Sequence, residues 1–208
     1  MVAMSRPKKS NAERDVMRER ILSAAGDLLE SRGPAEVSIR AVTARLGISP
    51  MAFYSYYASR DVLLNTLGER QLRILQESGE QFLARAGREG ADAILREVVR
   101  LFAQSAFERP HSYLLQWALP VEETAGLRLH QQRFETVLNF LARLVEMGIQ
   151  QGHFYPVDPS KAALMLFSLF NGPLLLHTAG RLPDAGQLGA LLAETERLAM
   201  LYLRGRDG

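Results

Sequence analysis

The sequence predicts an all-α protein with a small N-terminal helical unit and a larger C-terminal helical domain. Apolar residues recur at helical spacing, beginning with Ile21, Ala25, Leu28 and Leu29, and no segment alternates as a half-buried strand does. Serines precede several periodic segments and glycine or proline follows them, which is the pattern of helix caps. A chain of 208 residues is long enough for one large domain or two smaller ones.

The first helix is expected to begin between Asn11 and Arg14 and to end before Gly33. A glycine can adopt the left-handed conformation that closes a helix, and the following Pro34 cannot continue one. The preceding residues, 1–13, lack the apolar run of a secretory signal and predict a flexible basic arm.

Two short helices should follow. The Ser38 hydroxyl can cap the second helix, which runs to Leu46 and ends at Gly47, because a serine oxygen accepts from an unpaired amide of the first turn. Ser49 can cap the third helix, to residue 56 or 57, with Pro50 in the first helical position, where its missing amide is not needed.

A fourth helix, from Arg60 to about residue 76, would connect this unit, residues 14–60, to a second domain, residues 61–208. We expect this domain to contain the remaining helices, which are separated by proline- or glycine-containing turns. Their predicted ranges are 91–108, 112–119, 122–151, 159–179 and 185–204.

Positive charge is concentrated at the N-terminus. Residues 1–60 carry ten Arg or Lys and six Asp or Glu, a net charge of +4 within a total of +2, and such an excess suits a phosphate-binding surface. The chain has no cysteine, which excludes disulfides and thiolate metal sites and fits a cytoplasmic location. The uncharged stretch 162–180 is interrupted by Pro173 and polar residues, so it predicts a buried helix rather than a membrane span.

Two short helices joined at residues 46–49 have the dimensions of a helix-turn-helix, whose second helix enters the major groove. Ile39, Val42 and Leu46 can form its core, as can Phe53 and Tyr57. The other side offers hydrogen-bond donors to DNA from Ser38, Arg40, Thr43, Ser49, Tyr54, Tyr56 and Arg60.

The segments RILSAAGDLLESRGPAEVSIRAVTARLGIS and PMAFYSYYASRDVLL resemble the TetR family of transcriptional regulators (TetR/AcrR-like) over residues 19–64, and QGHFYPVDPSKAALMLFSLFNG shows a weaker likeness. The resemblance implies that Ser38 and Tyr54 hold phosphates and that Arg60 replaces a phosphate-contacting lysine of the family. It also implies that four residues face bases, with Arg40 suited to a guanine edge and Ala52 to a thymine methyl. These four are Arg40, Pro50, Met51 and Ala52. Tyr56 stands where many members have histidine.

The C-terminal helices supply candidates for an apolar ligand pocket. Aromatic side chains are numerous there, although each could equally be a core residue. Tyr113 and Trp117 are the strongest candidates, because their polar tips need a partner when buried. His177 is more consistent with a hydrogen-bonded core or interface residue. The candidate set is Phe102, Tyr113, Trp117, Phe134 and His177. No cofactor or metal is expected, since the four histidines are at least 19 residues apart and form no metal-binding pattern.

The last two helices predict a homodimer, although a helical monomer remains the alternative. Apolar residues cover more of the last helix than one subunit can bury, and the helix before it is apolar nearly all round. A four-helix interface would bury the excess. The apolar positions of the last helix include Leu188, Leu191, Leu192, Thr195, Leu198, Ala199 and Tyr202. Two-fold related heads could then read half-sites of a palindromic double-stranded operator about 34–36 Å apart.

The predicted function is therefore a ligand-responsive dimeric regulator. The resemblance implies a repressor that an apolar or amphipathic small molecule releases from its operator. A TetR-like activator and a helical ligand-sensing or adaptor protein without operator binding remain alternatives. An enzyme is not expected, because the sequence has no nucleophile-base pattern and no phosphate-binding glycine loop. The adjacent acids Glu122 and Glu123 fit a helix start better than acid-base catalysis.

Overall fold

The computed structural model describes residues 11–117 and 124–205, and these residues form α-helices and one short 3-10 helix without any strand. The predicted all-α class is therefore confirmed. The 3-10 helix is Pro34–Glu36. The α-helices are α1 (Asn11–Arg32), α2 (Ile39–Leu46), α3 (Pro50–Tyr54), α4 (Arg60–Glu89), α5 (Ala91–Glu108), α6 (Pro110–Trp117), α7 (Thr124–Gln150), α8 (Pro159–Thr178) and α9 (Ala185–Arg204).

Three helix boundaries differ by two or more residues from those predicted. Helix α3 ends at Tyr54 instead of residue 56 or 57, and α6 begins at Pro110 instead of residue 112. Helix α4 continues to Glu89 rather than 76, because the first glycine after it with a positive φ is Gly90, at 97°. The predicted helical residues 118, 119, 122 and 123, and positions 1–10 of the arm, lie outside the described residues, whereas 11–13 belong to α1.

The first compact unit is Met1–Glu69. Its boundary with the second falls inside α4 rather than after Arg60, because the first turns of α4 contribute Leu63 and Leu67 to the buried side chains of this unit. A Cβ added at Gly26 of α1 would lie 3.8 Å from the Leu67 side chain. The core of the helix-turn-helix thus includes the beginning of α4. The other buried side chains include Ile21, Leu22, Leu28, Leu29, Val37, Val42, Phe53 and Tyr57.

The second unit is Arg70–Gly208, and α8 is its central helix. Helix α8 packs against α5, α6, α7 and α9, which explains why its sequence is apolar on most sides. Where α7 ends, a Cβ added at Gly148 would lie 2.1 Å from a ring carbon of buried Phe154. No helix within the described ranges combines the length and apolarity needed to cross a membrane.

Candidate nucleic-acid interface and ligand cavity

The turn between α2 and α3 is fixed by backbone hydrogen bonds. Gly47 has a φ of 64°, a left-handed conformation that glycine adopts at little cost. The Ile48 amide donates to the Thr43 carbonyl at 3.1 Å, and the Gly47 amide donates to the Ala44 carbonyl at 3.3 Å. This arrangement resembles the six-to-one bond of a Schellman motif, which satisfies the last carbonyls of a helix. The direction in which α3 leaves α2 therefore follows from one glycine.

Serine side chains cap the two short helices, as predicted. The Ser38 hydroxyl oxygen accepts from the Ala41 amide at 3.1 Å, and the Ser49 hydroxyl oxygen accepts from the Ala52 amide at 3.1 Å. Pro50 occupies the first position of α3, where its lack of an amide costs no hydrogen bond. Both serines are exposed, so their hydroxyl hydrogens remain able to donate.

An aromatic anchor holds α3 in place. Phe53 is 0% exposed, and its ring stacks on Tyr57 with centroids 5.9 Å apart. The Arg18 guanidinium lies 4.7 Å from the centroid of the Tyr57 ring and donates to the Tyr56 carbonyl at 2.6 Å. Arg14 donates to the Ser55 carbonyl at 3.2 Å. Sequence reasoning missed these two arginines, although their four-residue spacing places both on one face of α1.

The free surface of α3 carries few polar side chains. Met51 is 79% exposed and Tyr54 is 53% exposed. Arg40 and Pro50 are exposed as well, whereas Ala52 and Tyr56 are half-buried. Most of the residues predicted to face DNA are thus exposed, and Arg40 and Tyr54 are the long polar side chains among the exposed ones.

Thr43 does not belong to that surface, so the prediction that it offers a donor outward is wrong. It is 2% exposed, and its hydroxyl donates to the Ile39 carbonyl at 2.9 Å, with the Arg40 carbonyl at 3.1 Å. A buried hydroxyl needs a partner, and the preceding turn of α2 supplies one. Its position beside Val42 places it on the core side of the helix.

Arg60 has a structural partner that the sequence did not reveal. Its Nε donates to the Val37 carbonyl at 2.6 Å, and its guanidinium lies 3.7 Å from the Asp61 carboxylate. It therefore ties the start of α4 to the segment that precedes α2. The side chain is 40% exposed, so contact with a phosphate remains a prediction for Arg60.

The second unit contains a partly open apolar cavity of about 280 Å³ between α4, α5, α6, α7 and α8. Its wall contains Leu75, Ser78, Gly79, Phe82, Leu95, Val98, Val99, Leu101, Phe102, Ser105, Tyr113, Gln116, Trp117, Thr136, Val137, Phe140, Leu141, Leu166, Phe167, Phe170 and Asn171. This volume is near the lower end of the range of ligand pockets, about 300–1,000 Å³. A predominantly apolar wall with a few polar groups is typical of a small-molecule site.

One buried hydrogen bond supplies the clearest polar feature of the wall. The Tyr113 hydroxyl donates to the Asn171 side-chain oxygen, and both residues are buried. Burial raises the pKa of Tyr113 well above its ordinary value, because removal from water disfavours the phenolate. The tyrosine therefore remains a neutral hydrogen-bond donor at physiological pH.

Comparison with known proteins identifies the fold. Residues 21–67 match the family model described as bacterial regulatory proteins, tetR family. A TetR transcription regulator from Haloarcula marismortui has 20% identity and a TM-score of 0.73, with 91% of this chain and 100% of that chain covered. The chain has the TetR fold, and its N-terminal residues match the tetR family model. No curated protein matches the sequence significantly.

Two further solved structures share the TetR fold. FadR from Bacillus subtilis, in complex with stearoyl-CoA, has 18% identity and a TM-score of 0.70, with 89% of this chain and 99% of that chain covered. Reduced NemR from E. coli has 16% identity and a TM-score of 0.68, with 88% and 97% covered. At these identities the likeness establishes the fold alone.

Within the TetR fold, three predicted ligand-binding residues lie together. Phe102, Tyr113 and Trp117 all line the cavity, and the Phe102 and Trp117 rings are 5.9 Å apart. Trp117 also contacts Phe167, with centroids 5.4 Å apart. These contacts support the prediction that the middle helices form a pocket, while binding of a ligand by each residue remains a prediction.

The other two candidates lie outside the cavity wall. Phe134 packs edge-on against Phe167, with centroids 5.1 Å apart, and so supports the wall from behind. His177 donates from Nδ1 to the Leu182 carbonyl at 2.8 Å and lies 4.8 Å from the Phe107 ring centroid. Because the Leu182 carbonyl accepts the Nδ1 hydrogen of His177, this side chain is a hydrogen-bonded structural histidine.

Sequence reasoning missed the contribution of α4 and α8 to the wall. Ser78, Gly79 and Phe82 lie beyond the predicted end of α4, so they were not considered. Asn171 was an available signal, because a buried amide inside an otherwise apolar helix requires a partner. Among the described residues, no group of three or more His, Asp or Glu side chains is arranged to hold a metal ion.

Proposed function

We propose that this protein is a dimeric transcriptional repressor that leaves a palindromic operator when an apolar or amphipathic small molecule enters its cavity. The single observation that carries the proposal is the presence, in one chain, of a TetR-type helix-turn-helix with an exposed α3 and of an apolar cavity in the second unit. Helix α4 is continuous from Arg60 to Glu89 and belongs to both units. Ligand and operator would then weaken each other's binding by the same factor.

The chemistry of the exposed surface supports DNA binding with limited base readout. Arg40 can donate to a guanine edge, and Tyr54, Ser38 and Ser49 can donate to phosphate oxygens. Met51 offers only apolar contact. Sequence specificity would therefore rest partly on DNA shape and on the spacing between the helix-turn-helix units of the two subunits. A repressor with this function would be located in the cytoplasm.

Exposed apolar side chains on α8 and α9 support the homodimer. Leu188, Thr195 and Ala199 face the core of their own unit, whereas other apolar residues of the same helices remain 39–52% exposed. Those exposed residues are Leu164, Met165, Leu176, Leu191, Leu198 and Leu201. Exposed apolar residues on two packed helices are typical of an interaction site, and a second copy of α8 and α9 would form the four-helix arrangement.

Selection of DNA by the purified full chain tests the operator. We expect enrichment of a two-fold symmetric sequence, and sequencing of the bound DNA measures it. The double variant Arg40→Ala, Tyr54→Ala should lose at least about tenfold in affinity, because contacts to bases or phosphates are worth roughly 1–3 kcal/mol. Arg45→Ala is the matched control, since Arg45 also belongs to α2 but pairs with Asp27 at 2.9 Å. Unchanged DNA binding by the folded double variant would refute the interface.

Sedimentation velocity tests the dimer. Leu198→Glu places a charge on the exposed face of α9, and burial of an unpaired carboxylate is costly, so this variant should sediment as a monomer. Ile74→Glu is the control, because Ile74 is a comparably exposed apolar residue on α4. Equal dimer content in both variants would contradict an interface built from α9.

A further inference from the structure

We propose that the cavity takes an amphipathic ligand with one carboxylate, and that the Arg133 guanidinium binds this head group. The inference rests on the proposed ligand-binding function and names the chemical class of that ligand. It concerns a residue of α7 that sequence analysis did not single out.

Arg133 is 4% exposed and has no hydrogen bond, ion pair or ring contact with any of the described residues. Other arginines of the second unit, all more exposed, are paired with carboxylates: Arg85 with Glu89 and Glu97, Arg96 with Glu196, Arg143 with Glu80, Arg197 with Glu194 and Arg204 with Asp92. These five exposed arginines have carboxylate partners, whereas no carboxylate of the described residues pairs with Arg133.

A buried guanidinium needs an anion more than any other cationic side chain does. Burial lowers the pKa of Arg133, but an arginine stays protonated in proteins because its ordinary pKa lies far above physiological pH. It cannot escape the desolvation penalty by losing its proton, as a buried lysine can. A ligand carboxylate would compensate the charge and accept two parallel hydrogen bonds from the guanidinium.

The position of Arg133 on α7 relates it to the cavity. Thr136, Val137 and Phe140 line the cavity and follow Arg133 by three, four and seven residues, so all four lie on one face of the helix. Helical side chains lean toward the N-terminus, which directs Arg133 beyond the last lining turn. Arg133 itself is not part of the cavity wall. The apolar part of a ligand would contact Thr136, Val137 and Phe140, and its head group would extend to Arg133, one turn before Thr136.

The charge of the site favours a carboxylate over a phosphate monoester. Arg133 is the one buried charged side chain among the described residues, so a single negative charge balances it. A phosphate group with about two charges would leave one uncompensated. Tyr113 donates to Asn171, and neither residue adds a cation.

Trp117 provides the measurement, because it lines the cavity and is the single tryptophan of the chain. Its fluorescence is titrated in the full-length protein with decanoate, decanol and decyl phosphate. We expect decanoate to bind about ten- to a hundredfold more tightly than decanol, the range of a hydrogen bond to a charged group. Decyl phosphate should bind less tightly than decanoate.

Variants of two arginines on α7 identify the group responsible. Arg133→Met should abolish the preference for decanoate while retaining affinity for decanol, and Arg133→Lys should retain a reduced preference. Arg143→Met, which removes an exposed arginine of the same helix, should keep the preference of the unmodified protein. If Arg133→Met does not fold, the decanoate-to-decanol ratio of the unmodified protein and the Arg133→Lys variant decide the question.

The possible outcomes separate this inference from the proposed function. Equal affinity for decanoate and decanol, or an unchanged preference in a folded Arg133 variant, overturns the role of Arg133 while leaving an apolar effector in place. Tighter binding of decyl phosphate overturns the choice of a carboxylate. No response of Trp117 to any of the three probes overturns ligand binding in the cavity itself.

Discussion

The two candidate sites use hydroxyl groups in opposite ways. In the first unit, the Ser38 and Ser49 hydroxyls cap helices at the surface, and Tyr54 is exposed. In the second unit, the Tyr113 hydroxyl is buried and donates to Asn171. Removal of a surface hydroxyl exposes its partner to water, whereas removal of a buried one leaves a partner unsatisfied. Substitution of the exposed Tyr54 should therefore leave stability unchanged, whereas substitution of the buried Tyr113 should not.

The largest test of this contrast replaces the core residue beneath the exposed surface of α3. Phe53→Ala should lower the free energy of unfolding of the first unit by about 3–5 kcal/mol, the usual cost of a buried Phe-to-Ala change, and abolish DNA binding. Chemical denaturation followed by circular dichroism measures the loss. Met51→Ala, on the same helix but 79% exposed, should change stability by less than about 0.5 kcal/mol. Equal effects of the two variants would contradict the burial of Phe53.

A glycine in the second unit tests close packing there. Gly148→Ala places a Cβ 2.1 Å from a carbon of the Phe154 ring, and overpacking of this kind costs about 1–3 kcal/mol. Urea unfolding monitored by Trp117 fluorescence should show the loss. Gly189→Ala is the control, since a Cβ at Gly189 of α9 meets no atom within 4 Å. A Gly148→Ala protein as stable as this control would show that Phe154 moves aside freely.

The same tyrosine-to-phenylalanine change in both units compares the two sites directly. Tyr113→Phe should cost about 1–3 kcal/mol, because it leaves the buried Asn171 amide without its partner. Tyr54→Phe should leave stability within about 0.5 kcal/mol and weaken DNA binding instead. Thermal melting and operator titration separate the two quantities. Loss of stability in Tyr54→Phe, with none in Tyr113→Phe, would reverse the comparison.

The smallest expected effect concerns acid pH and the ion pairs of the second unit. Hydrogen bonding to Arg85 lowers the pKa of the Glu97 carboxyl, so the folded state binds this proton less readily than the unfolded state. Its stabilisation is present above the unfolded pKa and is lost as the pH falls through the lowered folded pKa. Glu97→Gln should thus reduce the fall in melting temperature on acidification below pH of about 4. An identical pH profile would exclude this contribution.

Prediction from sequence succeeded where neighbours along the chain supply the interactions. Ser38, Gly47, Ser49 and Pro50 could be assigned because caps and turns act over three to five residues. Thr43 was assigned to the wrong face of α2. This helix is short, and the Thr43 hydroxyl donates to the Ile39 carbonyl in the preceding turn of the same helix. Arg14 and Arg18 were missed because their acceptors, Ser55 and Tyr56, lie far along the chain.

The cavity could be predicted only in part. Its aromatic composition indicated a pocket, and Phe102, Tyr113 and Trp117 lie in the wall. Phe134 and His177 also have aromatic rings, but Phe134 packs against Phe167 and His177 bonds to the Leu182 carbonyl, outside the wall. The residue type indicates whether a side chain is suited to an apolar environment. Whether that side chain points into the cavity depends on how the helices pack against each other.

The sequence by itself determined the all-α class, the caps of the short helices and the exposed set around Arg40 and Tyr54, because helical period and capping act locally. Only the tertiary structure decided that α4 continues into the second unit, that Asn171 meets Tyr113, and that Arg133 is buried away from every described carboxylate. These features depend on contacts between residues distant in sequence, and packing geometry rather than local preference selects those contacts.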